Sequence, residues 1–141
     1  MVDEERFLTR IGRVEADLVE LRSMKGTTAE QLTADLRLRW AAERGLHVVI
    51  EGLLDLGEHV LASEFGVQTS TYRETALRMV EKGIVTGPVA STFPDTASFR
   101  NVLVHEYIRI EMKVLERLLG SGIEDLSAVA RDLRDRAWMR R

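Results

Sequence analysis

The sequence TAEQLTADLRLRWAAERGLHVVIEGLLDLGEHVLASEF, residues Thr28–Phe65, decides the class of the fold. It contains no proline, and its apolar residues recur at the period of an α-helix. Thr27 or Thr28 can cap this helix, with Glu30 or Gln31 as the reciprocal partner of a capping box. The predicted helix has about 37 residues and is about 55 Å long. A chain of 141 residues cannot cover such a helix alone, so we expect a homodimer in which a second copy contacts its remaining apolar surface.

Small residues occur at helical spacing along this predicted helix. Ala41, Gly45 and Gly52 leave room for another helix to approach closely. Each glycine lowers helix propensity by up to about 1 kcal/mol relative to alanine, and close packing would explain why they are present. A break of the helix near Gly45 is the competing explanation.

Four further helices are predicted outside this stretch. The first runs from about Asp3 to Met24, and its apolar stripe consists of Phe7, Ile11, Val14, Leu18 and Leu21. The other three run from about Tyr72 to Glu81, from a start between Ser91 and Phe99 to about Leu119, before Gly120-Ser121-Gly122, and from about Ile123 to Met139. Tyr72 is interpreted as a partly buried packing residue. Residues 1–141 are therefore expected to form a single all-α domain, an antiparallel bundle of about five helices with one very long second helix.

Composition narrows the functional classes. With 23 acidic and 20 basic residues the net charge is −3, which argues against a broad nucleic-acid-binding surface but permits a site that grips one or two phosphates. The absence of cysteine excludes disulfides, thiolate metal sites and cysteine nucleophiles. No apolar run reaches the roughly 18 residues of a membrane span, and the charged first residues lack the apolar core of a signal peptide. We expect a cytoplasmic protein without membrane contact.

The fourth predicted helix carries a cluster of polar side chains. Arg100, Asn101, His105 and Tyr107 lie within eight positions, with Val102, Leu103 and Val104 between them. The arginine fork of donors suits a phosphate, and the histidine can give or take a proton near pH 7. A helix that only packs needs no such set, so the cluster indicates chemistry on a phosphate.

Three polar residues of the long helix are candidates to support this cluster. Arg44, Glu51 and Asp55 lie on one strip at spacings of seven and four, and we expect some of them to face the fourth helix. His47 and His59 are interpreted as structural histidines. No spacing in the chain matches a strong metal motif, a glycine-rich phosphate loop or a nucleophile elbow, so neither a metal nor a cofactor is expected.

The motif from Arg100 through four residues to His105-Glu106-Tyr107 resembles the R-X4-H-X-Y motif of the HepT-like toxins in the HEPN superfamily. Two surrounding segments resemble the same family: Ala42–Leu46 with Ile50–Asp55 is similar to its long second helix, and Arg100–Tyr107 to its fourth. The likeness covers nearly the whole chain, with helix order and lengths in register. It implies a HEPN-like helical fold.

The resemblance also implies a function. HepT-like toxins are metal-independent endoribonucleases of type VII toxin–antitoxin systems, and they form dimers whose motifs converge at a cleft. Their antitoxin is an MntA-like minimal nucleotidyltransferase, which neutralises the toxin by attaching AMP to the motif tyrosine. For this chain the resemblance therefore implies an RNA substrate, a nucleotidyltransferase partner and Tyr107 as the AMP acceptor.

The chemistry implied by the family is reasonable for these residues. RNA carries its own nucleophile, the 2′-OH, so cleavage needs a group to take its proton and a cation to hold the charged phosphorane. His105 is the candidate general acid or base, and Arg100 would hold the scissile phosphate. Asn101 could orient the phosphate or the imidazole, and Tyr107 would form hydrogen bonds or stack in the site.

Helical geometry complicates a site on one straight helix. Arg100 and His105 point about 140° apart on an ideal helix, whereas Arg100 and Tyr107 share a face. Either the first turn is irregular, or the arginine curls round the helix, or a two-fold axis brings His105 near Arg100 of a second protomer. We favour the third explanation, which uses the dimer expected from the long helix.

Two other functions compete with the ribonuclease. A non-catalytic adaptor could help a minimal nucleotidyltransferase bind its nucleotide or substrate, with Arg100 contacting phosphate, and the net negative charge favours it modestly. A purely structural helical dimer would leave the polar cluster unexplained. The presence of Arg100, His105 and Tyr107 together favours the enzyme, because an adaptor has no evident need for the imidazole.

Overall fold

The elements formed by residues 4–105 and 110–139, the part of the chain that the computed structural model describes, are all helical. They are α1 Glu4–Arg22, α2 Ala29–Ala34, α3 Leu36–Phe65, α4 Tyr72–Glu81, α5 Phe93–Val104, α6 Met112–Arg117 and α7 Ile123–Met139. A 3₁₀ turn, Pro88–Ser91, precedes α5, and a π turn, Leu118–Gly122, joins α6 to α7. The predicted all-α fold is confirmed. No helix in this part of the chain is long and apolar enough to cross a membrane.

The long helix is interrupted once, so the prediction of an unbroken helix from Thr28 to Phe65 is wrong. Thr28 and Gln31 form the predicted capping box at the start of α2. Asp35 then adopts an extended conformation, with φ −126° and ψ 100°, and its carboxylate accepts a hydrogen bond from the backbone N–H of Leu38. The break occurs here because an aspartate side chain can cap the orphan N–H groups of a new helix. Gly45, the other position considered for a break, lies inside the 30-residue α3.

Glycines on α3 allow neighbouring helices to approach closely. A Cβ at Gly45 would lie 2.9 Å from Leu21 Cδ1, and one at Gly52 would lie 2.7 Å from Val14 Cγ2. These two contacts show that α1 packs against α3 in the antiparallel direction. The two glycines therefore have the predicted packing role, and the helix that approaches them is α1 of the same chain. Ala41, the third small residue of the prediction, is exposed.

Helix α7 completes the layer around α1. Arg134 forms two hydrogen bonds to Glu15, at 2.7 and 2.6 Å, and Arg22 of α1 lies 2.5 Å from Ser127 Oγ. The order of these contacts makes α1 and α7 antiparallel. The apolar stripe predicted for α1 is buried at every position: Phe7, Ile11, Val14, Leu18 and Leu21.

Helix α5 is shorter than the sequence predicted. It begins at Phe93 and ends at Val104, because His105 is extended, with φ −85° and ψ 110°. The continuous helix expected to reach Leu119 is therefore wrong, as is the expected stop at Gly120–Gly122, which belongs to the π turn leading into α7. Two β-branched residues, Val102 and Val104, weaken the last turn of α5 because their side chains lose χ1 freedom in a helix.

Candidate active site

Arg100, in the last part of α5, is held by side chains from two other helices. Its Nη2 atom donates a hydrogen bond of 2.7 Å to Oε1 of Glu51 on α3. Its guanidinium carbon lies 4.6 Å from the centre of the Tyr72 ring on α4. The hydroxyl of Tyr72 donates to the same Glu51 oxygen at 3.3 Å, and burial raises the pKa of Tyr72, so this hydroxyl keeps its proton. Arg100, Glu51 and Tyr72 together form what we call the arginine clamp.

The nitrogen atoms of Arg100 have different surroundings. Nη2 is occupied by Glu51. Nε is buried and has no hydrogen-bond partner among the residues that the structure describes. Nη1 makes a long contact of 3.4 Å with Oδ1 of Asn101, an exposed residue. Of the three nitrogen atoms, Nη1 is therefore the one whose contact is exposed.

The loop between α3 and α4 explains why Tyr72 lies beside Glu51. Gly66 ends α3 in the left-handed conformation, with φ 63°, which reverses the chain. Thr71 caps α4 by accepting from the backbone N–H of Glu74. The chain thus runs back along α3 before α4 begins, and Arg73 fastens the start of α4 to α5 through a 2.9 Å ion pair with Asp95.

Glu51 is the electrostatic centre of the clamp. The hydrogen bond from Arg100 is the main cause that lowers its pKa, and the charges of Arg100 and His47 act in the same direction. Nε2 of His47 lies 3.1 Å from Oε2 of Glu51, but the contact is poorly directed, and Nε2 has no well-formed hydrogen bond within the described residues. Glu51 is therefore ionised near neutral pH, with positive groups at both of its oxygens when His47 is protonated.

His47 connects the clamp to Arg44. Nη1 of Arg44 lies 3.1 Å from Nδ1 of His47. Since arginine can only donate, Nδ1 accepts in this contact and the proton of the neutral ring is on Nε2, toward Glu51. Burial is the largest cause that lowers the pKa of His47 and outweighs the attraction of Glu51. His47 is thus mainly neutral at pH 7.

The three residues predicted on one strip of α3 have different positions. Glu51 contacts Arg100 directly, and Arg44 contacts His47. Asp55 interacts with Arg100 only electrostatically, and its pKa is raised, first by burial and then by the charges of Glu51 and Glu58. Of the three, Glu51 is therefore the residue that contacts α5 directly.

His105 ends α5 one turn beyond Arg100. Its backbone N–H donates to the carbonyl oxygen of Asn101 at 3.2 Å, and its side chain is exposed. This hydrogen bond keeps His105 in the helical register, so the separation of about 140° from Arg100 still applies and the chain leaves the helix only after His105. Tyr107 lies outside the described residues.

Tyr72 is partly buried and packs against the core as predicted, but it is also a member of the clamp, which the sequence did not indicate. His47, predicted to be structural, lies against Glu51 of the clamp. His47 could have been found, because it lies four residues before Glu51 on the same helix face. Tyr72 had no such indication, since its position depends on the path of the α3–α4 loop. Within residues 4–105 and 110–139, no group of three histidine, aspartate or glutamate side chains could hold a metal ion.

Comparison with known proteins gives one family and several similar structures. The family described as "Ribonuclease HepT-like" matches residues 14–133. A tri-AMPylated HEPN toxin of Shewanella oneidensis, in complex with an MNT antitoxin, is 16% identical, with TM-score 0.80 over 96% of this chain and 99% of that chain. A toxin–antitoxin structure with AMP-PNP is 15% identical, with TM-score 0.77 over 94% and 99% of the two chains. A mutant of the toxin–antitoxin MntA-HpeT is 14% identical, with TM-score 0.75 over 92% and 97%. No curated protein matches the chain.

Proposed function

Since the chain belongs to the ribonuclease HepT-like family, as its motif indicated, we propose that it is an endoribonuclease toxin that cleaves RNA without a metal ion. The observation that carries this proposal is the arginine clamp. A guanidinium held by Glu51 and Tyr72, with one corner at an exposed surface, is a fixed cation for a phosphate. His105 follows on the same segment of chain and supplies a group for proton transfer.

In the proposed reaction the 2′-OH of one nucleotide attacks the adjacent phosphorus. The imidazole of His105 takes the hydroxyl proton as general base, and the bond from phosphorus to the 5′-oxygen breaks. That oxygen leaves with a proton from an acid, either a protonated His105 or water. Arg100 stabilises the charge that develops on the phosphorane, and Asn101, beside Nη1, helps to orient the phosphate. The products are a 2′,3′-cyclic phosphate and a 5′-hydroxyl.

The proposed partner is an MntA-like minimal nucleotidyltransferase that transfers AMP from ATP to the hydroxyl of Tyr107, releasing pyrophosphate. The similar Shewanella oneidensis toxin, which is tri-AMPylated and in complex with an MNT antitoxin, supports this proposal. AMP on Tyr107 would add bulk and negative charge near Arg100 and His105 in the sequence, and would oppose RNA binding. After incubation with the partner and ATP, mass spectrometry should find AMP on the wild-type chain and none at position 107 in Tyr107→Phe.

We also propose that the toxin is a homodimer. Leu36 and Trp40, one turn apart at the start of α3, are 51% and 60% exposed, which supports an apolar contact there. Analytical ultracentrifugation of the purified chain tests this proposal directly: a monomer at all micromolar concentrations would contradict it.

The deciding experiment incubates the purified chain with total RNA in EDTA, beside His105→Ala and Arg100→Ala variants. We expect cleavage by the wild type, strong loss in both variants and cyclic phosphate ends on the products. The alternative is a non-catalytic adaptor for a nucleotidyltransferase, which the pairing of Arg100 with a carboxylate of its own chain favours. Absence of cleavage by the wild type, or equal cleavage by all three proteins, would exclude the enzyme.

A further inference from the structure

A polar pocket of about 400 Å³ lies next to the arginine clamp. It is lined by Glu58 of α3, Ser70 and Thr71 before α4, Tyr72 at the start of α4 and Asn101 of α5. Tyr72 and Asn101 also contact Arg100. A nucleotide whose phosphate is at the Nη1 corner of Arg100 would therefore have its own nucleoside, or the neighbouring one, at this pocket.

The charge of the pocket disfavours a phosphate. Glu58 lies on the same strip of α3 as Glu51 and Asp55, and of the three only Glu51 makes an ion pair among the described residues. The raised pKa of Asp55 reflects burial together with the negative charges of Glu51 and Glu58. Such surroundings repel an anion and attract a neutral group that donates hydrogen bonds.

The open hydrogen-bonding groups of the pocket can be identified. The Ser70 hydroxyl donates to Glu74 at 2.9 Å, and the Thr71 oxygen accepts from the Glu74 N–H at 3.1 Å. The Glu58 carboxylate has no hydrogen bond or ion pair within residues 4–105 and 110–139, and the amide nitrogen of Asn101 donates to no residue of that part. The pocket therefore offers the two carboxylate oxygens of Glu58 as acceptors and the amide nitrogen of Asn101 as a donor.

From this combination we propose that the pocket is a nucleobase subsite that selects guanine beside the cleaved phosphate. The Watson–Crick edge of guanine has two adjacent donors, N1–H and the 2-amino group, which match a carboxylate, and the O6 acceptor, which matches the amide of Asn101. Adenine and uracil each present only one strong donor on this edge, and cytosine lacks the second adjacent donor. The inference rests on the proposed ribonuclease function for the placement of the phosphate at Arg100.

The first test measures equilibrium binding by calorimetry, which does not depend on cleavage. Guanosine and adenosine 3′- and 5′-monophosphates are compared on the wild type, on Glu58→Gln and on the control Glu20→Gln, an exposed glutamate of α1. A bidentate contact of this kind discriminates between bases by about tenfold or more. We expect at least one guanosine nucleotide to bind about tenfold more tightly than its adenosine counterpart. Glu58→Gln should remove that preference, and Glu20→Gln should keep it.

The 3′- and 5′-nucleotides show which neighbour of the phosphate enters the pocket. Equal binding of guanosine and adenosine nucleotides by the wild type, or an unchanged preference in Glu58→Gln, would overturn the subsite. A second test maps cut sites on RNA, where Glu58→Gln should lose the guanine preference at one position beside the cut and still cleave. If the wild type cleaves no RNA but prefers guanosine nucleotides through Glu58, the ribonuclease proposal fails and the subsite stands.

Discussion

The guanidinium of Arg100 lies over the ring of Tyr72, with 4.6 Å between the guanidinium carbon and the ring centre. The two residues come from different helices, and both contact Glu51. An aromatic face attracts a cation and also restricts a planar one to a single orientation. Tyr72 therefore positions Arg100 in two ways, through its ring and through the hydrogen bond of its hydroxyl to Glu51.

Substitutions at Tyr72 should separate these two contributions. Tyr72→Phe keeps the ring and loses the hydroxyl, whereas Tyr72→Leu loses both. A cation–π contact is worth about 0.5–2 kcal/mol, so we expect Tyr72→Leu to lower kcat on RNA by about tenfold and Tyr72→Phe by about two- to threefold. Steady-state kinetics on one RNA substrate measures both. Equal kcat in Tyr72→Leu and the wild type, with both proteins folded by circular dichroism, would show that the ring does not position the arginine.

Glu51→Gln should change kcat and KM in the same direction. Removing the negative charge leaves Arg100 less neutralised, so RNA should bind more tightly and KM should fall a few-fold. The guanidinium also loses its charged partner, a hydrogen bond of about 1.5–3 kcal/mol, so kcat should fall by about tenfold. The matched control is Glu43→Gln, which breaks the Arg39–Glu43 ion pair elsewhere on α3 and should leave both constants near wild type. A kcat as high as that of the control would contradict a positioning role for Glu51.

Burial of His47 predicts a loss of stability in mild acid. Because its pKa is lowered from 6.5, the unfolded chain binds more protons than the folded one between the folded pKa and 6.5, and the free energy of unfolding falls as the pH drops through this window. Glu51, whose pKa is lowered from 4.5, stabilises the fold above that value, and its contribution is lost only at lower pH. Between pH 7.5 and 5.5, urea unfolding should show a smaller decrease in the free energy of unfolding for His47→Gln than for the wild type.

The control for this measurement is His59→Gln, since His59 lies exposed on the same helix. The free energy of unfolding of this variant should decrease between the two pH values by as much as that of the wild type. An equal loss in His47→Gln would mean that His47 does not cause the pH dependence. The effect cannot exceed about 1.4 kcal/mol for each pH unit.

Gly57→Ala should destabilise the fold. A Cβ at this position would lie 2.2 Å from Sδ of Met79, which is fully buried and cannot move into solvent. Overpacking of this kind costs about 1–3 kcal/mol. Gly12→Ala is the control, because a Cβ there has no atom within 4 Å and alanine gains up to about 1 kcal/mol of helix propensity. Chemical denaturation should therefore show a lower free energy of unfolding for Gly57→Ala and a higher one for Gly12→Ala than for the wild type.

A double-mutant cycle checks the cause of this effect. Met79→Ala removes the obstructing side chain, so Gly57→Ala should cost less in that background than in the wild type. Additive costs would place the origin of the destabilisation elsewhere.

The sequence predicts the helices well where one face is continuously apolar. The stripe of α1 from Phe7 to Leu21 fixes both its existence and its buried face. The sequence predicts the breaks between helices poorly. Asp35, for example, is tolerated inside a helix and becomes a cap only when the next segment turns away. The end of α5 at His105 is equally hard to predict, since Val102 and Val104 lower helix propensity by only tenths of a kcal/mol.

At the candidate site, the sequence predicts residues that are close together in the chain or on one helix, and it misses residues that only the fold brings close. Arg100 and Asn101 are neighbours, and Glu51 was found because α3 is one helix with a regular strip. Tyr72 reaches Glu51 only because the chain reverses at Gly66 and returns along α3. No periodicity within α4 encodes that path.

The buried Nε of Arg100 has a consequence for how the protein meets its ligand. With Nε enclosed and Nη2 bound to Glu51, the side chain presents a single nitrogen along one direction of approach, where arginine often grips with two. The contacts with Glu51 and Tyr72 already restrict the torsions of Arg100, so an incoming group has less conformational freedom to remove. A lysine at this position has no planar group to stack on the Tyr72 ring, so its side chain would rotate more freely. A positive charge at position 100 is therefore not enough, because the planar shape of the guanidinium is also needed to hold the side chain in place.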